Sequence, residues 1–103
     1  MSYNFGSHKI INFSNVKTFF SKIKKKKTVI HCHGVFDLVH PGHIRHFAHC
    51  RSKADVLVVS LTPDIYIKKG KYRPLIPEKM RAGNLAALEM VDFVIIDKNK
   101  FPY

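Results

Sequence analysis

The sequence predicts an α/β chain, a helix followed by β-α-β-α-β, which is the N-terminal part of a doubly wound parallel sheet. Three observations predict it. Residues 55–61 (DVLVVSL) form a near-continuous apolar run of the kind a parallel sheet buries on both faces. Residues 28–33 and 91–97 are further short runs rich in β-branched and apolar residues. The stretches between these runs start at Pro41 and Pro77 and carry helical spacing, and strands separated by helices of that length imply right-handed crossovers.

The elements follow in chain order. Residues 1–13 mix Gly, Ser, Asn and scattered apolar residues without a period and read as an irregular lead-in. Ser14 reads as an N-cap, and Val16, Phe19, Phe20 and Ile23 recur at i, i+3, i+4 and i+7, one apolar stripe on a short helix. The lysine run 24–27 closes it, where the helix macrodipole favours cations, so a solvated cap is the plain reading. The strand over 28–33 is closed by Gly34. Pro41, with its fixed φ and missing N–H, suits the first position of the next helix, whose apolar face is Ile44, Phe47 and Ala48. Thr62, Pro63 and Asp64 end the second strand, and a basic connection over 68–74 follows. The last helix runs from Pro77 through Met80, Ala82, Leu85, Ala86, Leu88 and Met90, with Gly83 weakening it by about 1 kcal/mol relative to Ala. Residues 99–103 are a polar, Pro-containing tail. The chain thus divides into a lead-in and helix over 1–27 and the α/β domain over 28–103.

At 103 residues and 46% hydrophobic, the sequence supports one domain and excludes a second. Cys32 and Cys50 are its only cysteines, no apolar run reaches membrane-spanning length, and residues 1–9 lack a secretory apolar stretch. A cytoplasmic location without a membrane partner is expected. Eighteen Lys and Arg against seven Asp and Glu give +11, which favours phosphate-rich ligands without implying nucleic acid.

In doubly wound sheets, ligands bind beyond the carboxyl ends of the strands where strand order reverses. The first strand delivers Gly34-Val35-Phe36-Asp37-Leu38-Val39-His40-Pro41-Gly42-His43 to that edge. His40 precedes the helix and His43 lies in its first turn, so both imidazoles can face a helix N-terminus whose free N–H groups favour anions. Gly42 lets a phosphate approach the backbone, and imidazoles there would matter most as charge builds in a transition state. The dinucleotide pattern G-x-G-x-x-G and the P-loop are both absent. His31 and His33 alternate onto one strand face, and with Cys32, Cys50, His46 and His49 nearby in sequence a zinc site can be drawn. Neither C-x-x-C nor H-x-x-x-H recurs cleanly, so ordinary hydrogen-bonded histidines are the preferred reading and no direct metal ligand is predicted.

At residues 34–43 the chain resembles the cytidylyltransferase-like nucleotidyltransferases, whose signature is G-x-F-D-x-x-H-x-G-H. Gly34, Phe36, Asp37, His40, Gly42 and His43 match it in order. The resemblance continues through Leu61-Thr62-Pro63-Asp64, Lys69-Gly70, Arg73-Pro74 and residues 81–92, and there it looks most like the modules of heptose-phosphate adenylyltransferases and sugar-phosphate cytidylyltransferases. It implies a Rossmann-like fold and an enzyme that transfers a nucleotide from CTP or ATP to a sugar or polyol phosphate, releasing pyrophosphate, with Mg2+ as cofactor. Gly34, Val35, Phe36, Asp37, His40, Gly42 and His43 would bind the nucleotide, and His40, His43, Lys69 and Arg81 would be catalytic. Asp37 would organise the loop in preference to influencing magnesium. The plainer readings are a solvated basic loop for Lys69, a surface charge for Arg81, a strand-organising role for Asp92 and a solvated helix position for His46.

Members of this family continue with a further strand, an acceptor-binding segment and a Ser/Thr-rich element. The chain therefore reads as the N-terminal piece of a longer protein, some relatives being fused to a sugar kinase, or as one partner of an oligomer that completes the sheet, or as a chain that has lost activity. Its first strand would lie at an exposed apolar edge. Two other functions stay open: a nucleotide-binding or oligomerisation module without turnover, and a basic polyanion-binding protein acting through the lysine run 24–27.

Overall fold

A computed structural model of the protein describes residues 6–25, 27–67 and 76–98. Four strands, β1 (Ile10–Ile11), β2 (Val29–Gly34), β3 (Val56–Leu61) and β4 (Phe93–Ile96), form one sheet in the order β1-β4-β3-β2. Every pairing is parallel. Helices α1 (Val16–Lys24), α2 (Pro41–Ser52) and α3 (Glu78–Ala86) cover the two faces. Among the described residues β2 has a strand neighbour on one side only, the edge position anticipated for it.

The period-two alternation of the strands sorts the core into two layers. Leu57, Val59 and Leu61 of β3 and Val94 of β4 pack with Phe47, Cys50, Ala82, Leu85 and Ala86 beneath α2 and α3. Val56, Val58 and Ile95 face the other way, against the α1 stripe of Val16, Phe19, Phe20 and Ile23. Phe19 meets Phe93 edge to face at 4.6 Å between ring centroids. β3 is buried at every position because it is sandwiched on both faces and paired on both edges.

Polar side chains pin the strand starts. Thr28 donates its N–H and its hydroxyl to Asp55 Oδ2 at 3.0 and 3.1 Å, and Asp55 N–H returns a bond to Thr28 Oγ1 at 2.9 Å. These bonds hold the Asp55 carboxyl below the usual carboxylate range. Asp92 accepts Leu57 N–H at 2.8 Å and pairs with Arg51 at 2.9 Å, the strand-organising role read for it from sequence.

Several elements differ from the expectation. The lead-in is not irregular throughout: Ile10 and Ile11 add a strand beside β4, and Gly6, at φ 72°, lies so close to α3 that a Cβ would stand 2.2 Å from the Ala86 carbonyl oxygen. Ser14 is not the cap of α1; Asn12 accepts its N–H at 3.2 Å in a 3-10 turn, and the helix starts at Val16. Ala48 is exposed, and Phe47 with Cys50 forms the buried side of α2. α3 stops at Ala86 instead of reaching Met90, because Leu88 N–H bonds Leu85 O and Val91 N–H bonds Leu88 O, turning the chain into β4.

A Cβ on Gly83 would meet no atom within 4 Å. Gly83→Ala is therefore expected to stabilise the fold by about 1 kcal/mol through helix propensity alone, read as a higher denaturant midpoint with an unchanged m-value.

Candidate nucleotide-phosphate site

β2 ends at Gly34, and after six intervening residues α2 begins with Pro41 at its first position. His40 is the N-cap, in extended backbone, and its Nδ1 accepts Gly42 N–H at 2.9 Å. His43, three residues on, accepts His40 N–H at its own Nδ1, at 3.2 Å. The two histidines thus form a reciprocal capping box at the spacing usually filled by Ser or Thr and Glu.

An Nδ1 that accepts an N–H bond carries no proton, so each neutral ring holds its proton on Nε2. The ring centroids are 4.0 Å apart with planes 36° from parallel, so the two imidazoles lie side by side at the start of α2. This changes how the site would hold an anion. Free first-turn amides were expected to meet phosphate, yet Gly42 N–H is taken by His40, and His43 and Ile44 N–H both bond His40 O. Among the groups of this capping box, the imidazole Nε2–H groups are the donors that these bonds leave over.

The preceding loop supports those rings. Phe36 holds a left-handed backbone at φ 52°, unusual for a residue with a side chain. Its ring folds back over Gly34, where a Cβ would lie 2.9 Å from Phe36 Cζ, so a larger residue at 34 would push the ring away. The same ring meets His43 edge-on at 5.5 Å and Phe47 at 5.4 Å. Asp37 is 8% exposed and accepts Ile76 N–H at 2.9 Å through Oδ1, which is loop organisation.

Arg81 takes a different position from the one expected of a phosphate-contacting residue. It is fully buried, and its guanidinium donates to Val35 O at 2.8 Å, Thr62 O at 2.7 Å, Ile76 O at 2.9 Å and Asp64 Oδ1 at 2.6 Å. These acceptors hold it behind the loop. Asp64 also accepts Glu78 N–H, and Glu78 accepts Asp64 N–H, so the start of α3 is tied to the end of β3. Lys69 lies outside the described residues, as does the rest of the basic connection over 68–74.

An open cleft of about 530 Å³ is lined by His33, Gly34, Phe36, Asp37, His43 and Ile67, among others. His33 is tied at both ring nitrogens, Nδ1 to Ser60 Oγ at 2.6 Å and Nε2 to Thr62 Oγ1 at 3.2 Å. His31 reaches the same Ser60 hydroxyl at 2.7 Å. Both are hydrogen-bonded histidines, as read from sequence. Sequence reasoning did not find Ser60, the buried hydroxyl between them, because an apolar run conceals one small polar residue. Burial pushes the His43 pKa down, and the nearby His40 and His46 push it further. Near neutral pH His43 therefore serves as a neutral Nε2–H donor.

A parallel sheet whose first long strand runs through a loop into a histidine-capped helix defines a Rossmann-like α/β domain. Residues 31–102 match the cytidylyltransferase-like family, and the chain belongs to that family. Similar proteins include the bifunctional protein HldE of Aliarcobacter butzleri, 36% identical over 110 residues that cover 98% of this chain and 23% of that protein. The HldE of Geotalea uraniireducens is 46% identical over 72 residues, 68% of this chain and 15% of its own length. The chain spans less than a quarter of either relative. A solved structure of a lipopolysaccharide core biosynthesis protein from Thermoplasma volcanium superposes with TM-score 0.63 at 28% identity, covering 69% of this chain and 58% of that one. No helix among the described residues is long and apolar enough to cross a membrane.

Two outcomes are expected of this site. Imidazole 15N spectra should show His40 and His43 as Nε2–H tautomers at pH 7.5, with His43 titrating below 6.5. Because its folded pKa lies below the unfolded value, the stability His43 contributes is fully present above about pH 6.5 and is lost as pH falls through the folded pKa. Gly42→Ala would set a Cβ 2.6 Å from His40 Cε1 and displace that ring. It should weaken triphosphate binding by roughly tenfold, the loss of about one charge-assisted hydrogen bond, as read by calorimetric titration.

Proposed function

We propose that the protein is the nucleotide-binding module of a nucleotidyltransferase, in which residues 34–43 hold the triphosphate of CTP or ATP. The reciprocal histidine cap carries this reading: it engages both imidazoles at Nδ1 and so keeps their Nε2–H groups out of the cap, and His43 lines the cleft beside residues 33–38. In the proposed reaction, an oxygen of a sugar or polyol phosphate attacks the α-phosphorus. The bond to the bridging oxygen breaks and pyrophosphate leaves with the electron pair. His40 and His43 would donate to phosphate oxygens as charge shifts onto the leaving group, where fixed dipoles lower the barrier without reorganising.

The other assigned residues take supporting parts. Arg81 is a positioning residue, since it holds the Val35 and Thr62 carbonyls and faces no open space. Lys69 would approach the reacting phosphates from the basic connection. Mg2+ would accompany the triphosphate, bound to phosphate oxygens and water. Asp37 is the only carboxylate among the described residues lining the cleft, and its Oδ1 is engaged by Ile76 N–H. The described residues thus form no ligand shell for Mg2+, and no step is assigned to it.

A second reading, nucleotide binding without turnover by this chain alone, is favoured by the cleft lining, which among the described residues supplies imidazole donors but no carboxylate shell for Mg2+. Titration with CTP and ATP, alongside pyrophosphate release in the presence of sugar phosphates, separates the two. Under either reading His43→Ala should weaken triphosphate binding at least tenfold, and unchanged affinity would remove the assignment of residues 34–43. Binding without pyrophosphate release would leave the second reading standing.

A further inference from the structure

Away from the phosphate loop, β2 and α2 bring together three side chains that the nucleotide site does not use. Cys32 points from β2 toward the α2 face of the sheet, and His46 and Cys50 lie one turn apart on α2. Cys32 Sγ is 3.9 Å from Cys50 Sγ and 3.9 Å from His46 Nε2, and Cys50 Sγ is 3.6 Å from the same nitrogen.

That triangle has the dimensions of a metal's coordination face. Zinc–sulfur bonds of about 2.3 Å and a zinc–nitrogen bond of about 2.0–2.1 Å at tetrahedral angles set a sulfur–sulfur edge of about 3.8 Å and sulfur–nitrogen edges of about 3.6 Å. No other group of three or more His, Cys, Asp or Glu among the described residues comes together in this way. Both cysteines are free thiols, and their sulfurs are nearly twice as far apart as the roughly 2.05 Å of a disulfide.

We infer that Cys32, His46 and Cys50 form a binding site for a single Zn2+ ion, with the fourth position open to water on the exposed His46 side. Two thiolates and an imidazole suit this borderline-soft cation better than the hard cations that oxygen ligands select. Two ligands belong to the helix and one to the strand, so the ion would clamp α2 onto β2. His43 stands one turn before His46 on the same helix, and the clamp would fix the mouth of α2 as well as its middle. The site is independent of the nucleotidyltransferase reading.

The test is metal binding by the reduced full chain. Equilibrium dialysis against Zn2+ should leave one ion per chain that His46→Gln, an exposed substitution that leaves the core intact, weakens at least tenfold. Co2+ should produce a thiolate-to-metal charge-transfer band in the native chain that Cys32→Ser abolishes. Zn2+ should also raise the melting temperature of the native chain more than that of His46→Gln, with circular dichroism verifying that both variants fold. Zn2+ bound elsewhere by the remaining histidines would appear equally in every variant. Equal uptake by native chain and variants, absence of the thiolate band, or spontaneous closure of a Cys32–Cys50 disulfide in a glutathione buffer at cytosolic potential would each overturn the inference.

Discussion

The Arg81 guanidinium donates to carbonyls on three segments: Val35 in the loop after β2, Thr62 just past the end of β3 and Ile76 before α3, the last of which no strand ladder joins to the other two. A hydrogen bond from a charged donor such as this one contributes about 1.5–3 kcal/mol, so the three carbonyls bind the segments firmly. The charge itself is placed on Asp64, whose carboxylate is partly exposed, so the ion pair avoids the full desolvation penalty of a completely buried one. The phosphate loop, the turn after β3 and the start of α3 are thereby one unit. The histidine cap and the Phe36 ring can hold their geometry because the backbone behind them is held first.

Much of this was legible in the sequence where burial and period agree. The 55–61 run reads as a strand because it is apolar on both faces, and it proves to be an interior strand, buried at every position of Val56–Leu61. Pro41 marks a helix start because its ring leaves little else there. The Val16, Phe19, Phe20 and Ile23 stripe reads as an amphipathic helix and seats on one layer of the sheet. What escaped the sequence depends on partners distant in the chain. Ile10 and Ile11 are too short a run to show alternation, and only β4 makes them a strand. The end of α3 is set by turns that lead into β4, while Leu88 and Met90 keep the apolar spacing of a longer helix.

The site divides along the same line. The order of glycine, aromatic, aspartate and histidines is visible as a motif, but the motif does not say which atoms face a ligand. The Nδ1 bonds bear on it, because they commit one nitrogen of each ring to the cap and use the first-turn amides that sequence reasoning had reserved for phosphate. The charge of Arg81 is equally plain in the sequence, whereas its burial is not. Likewise, spacing rules for metal sites look along one element, and Cys32 meets His46 and Cys50 only because β2 and α2 pack face to face.

Phe36 combines two requirements that few residues meet together. Its left-handed backbone costs on the order of 1–2 kcal/mol for a residue with a Cβ, a cost Gly would avoid and Asn would reduce. Neither of those side chains could lie over Gly34 while bracing His43 and Phe47. The loop therefore keeps a conformational strain that its aromatic packing offsets, and the two are separable: relaxing the backbone at 36 removes the wall against which His43 is held. Local stability and the readiness of the imidazole pair to receive a ligand are set in opposition at one residue.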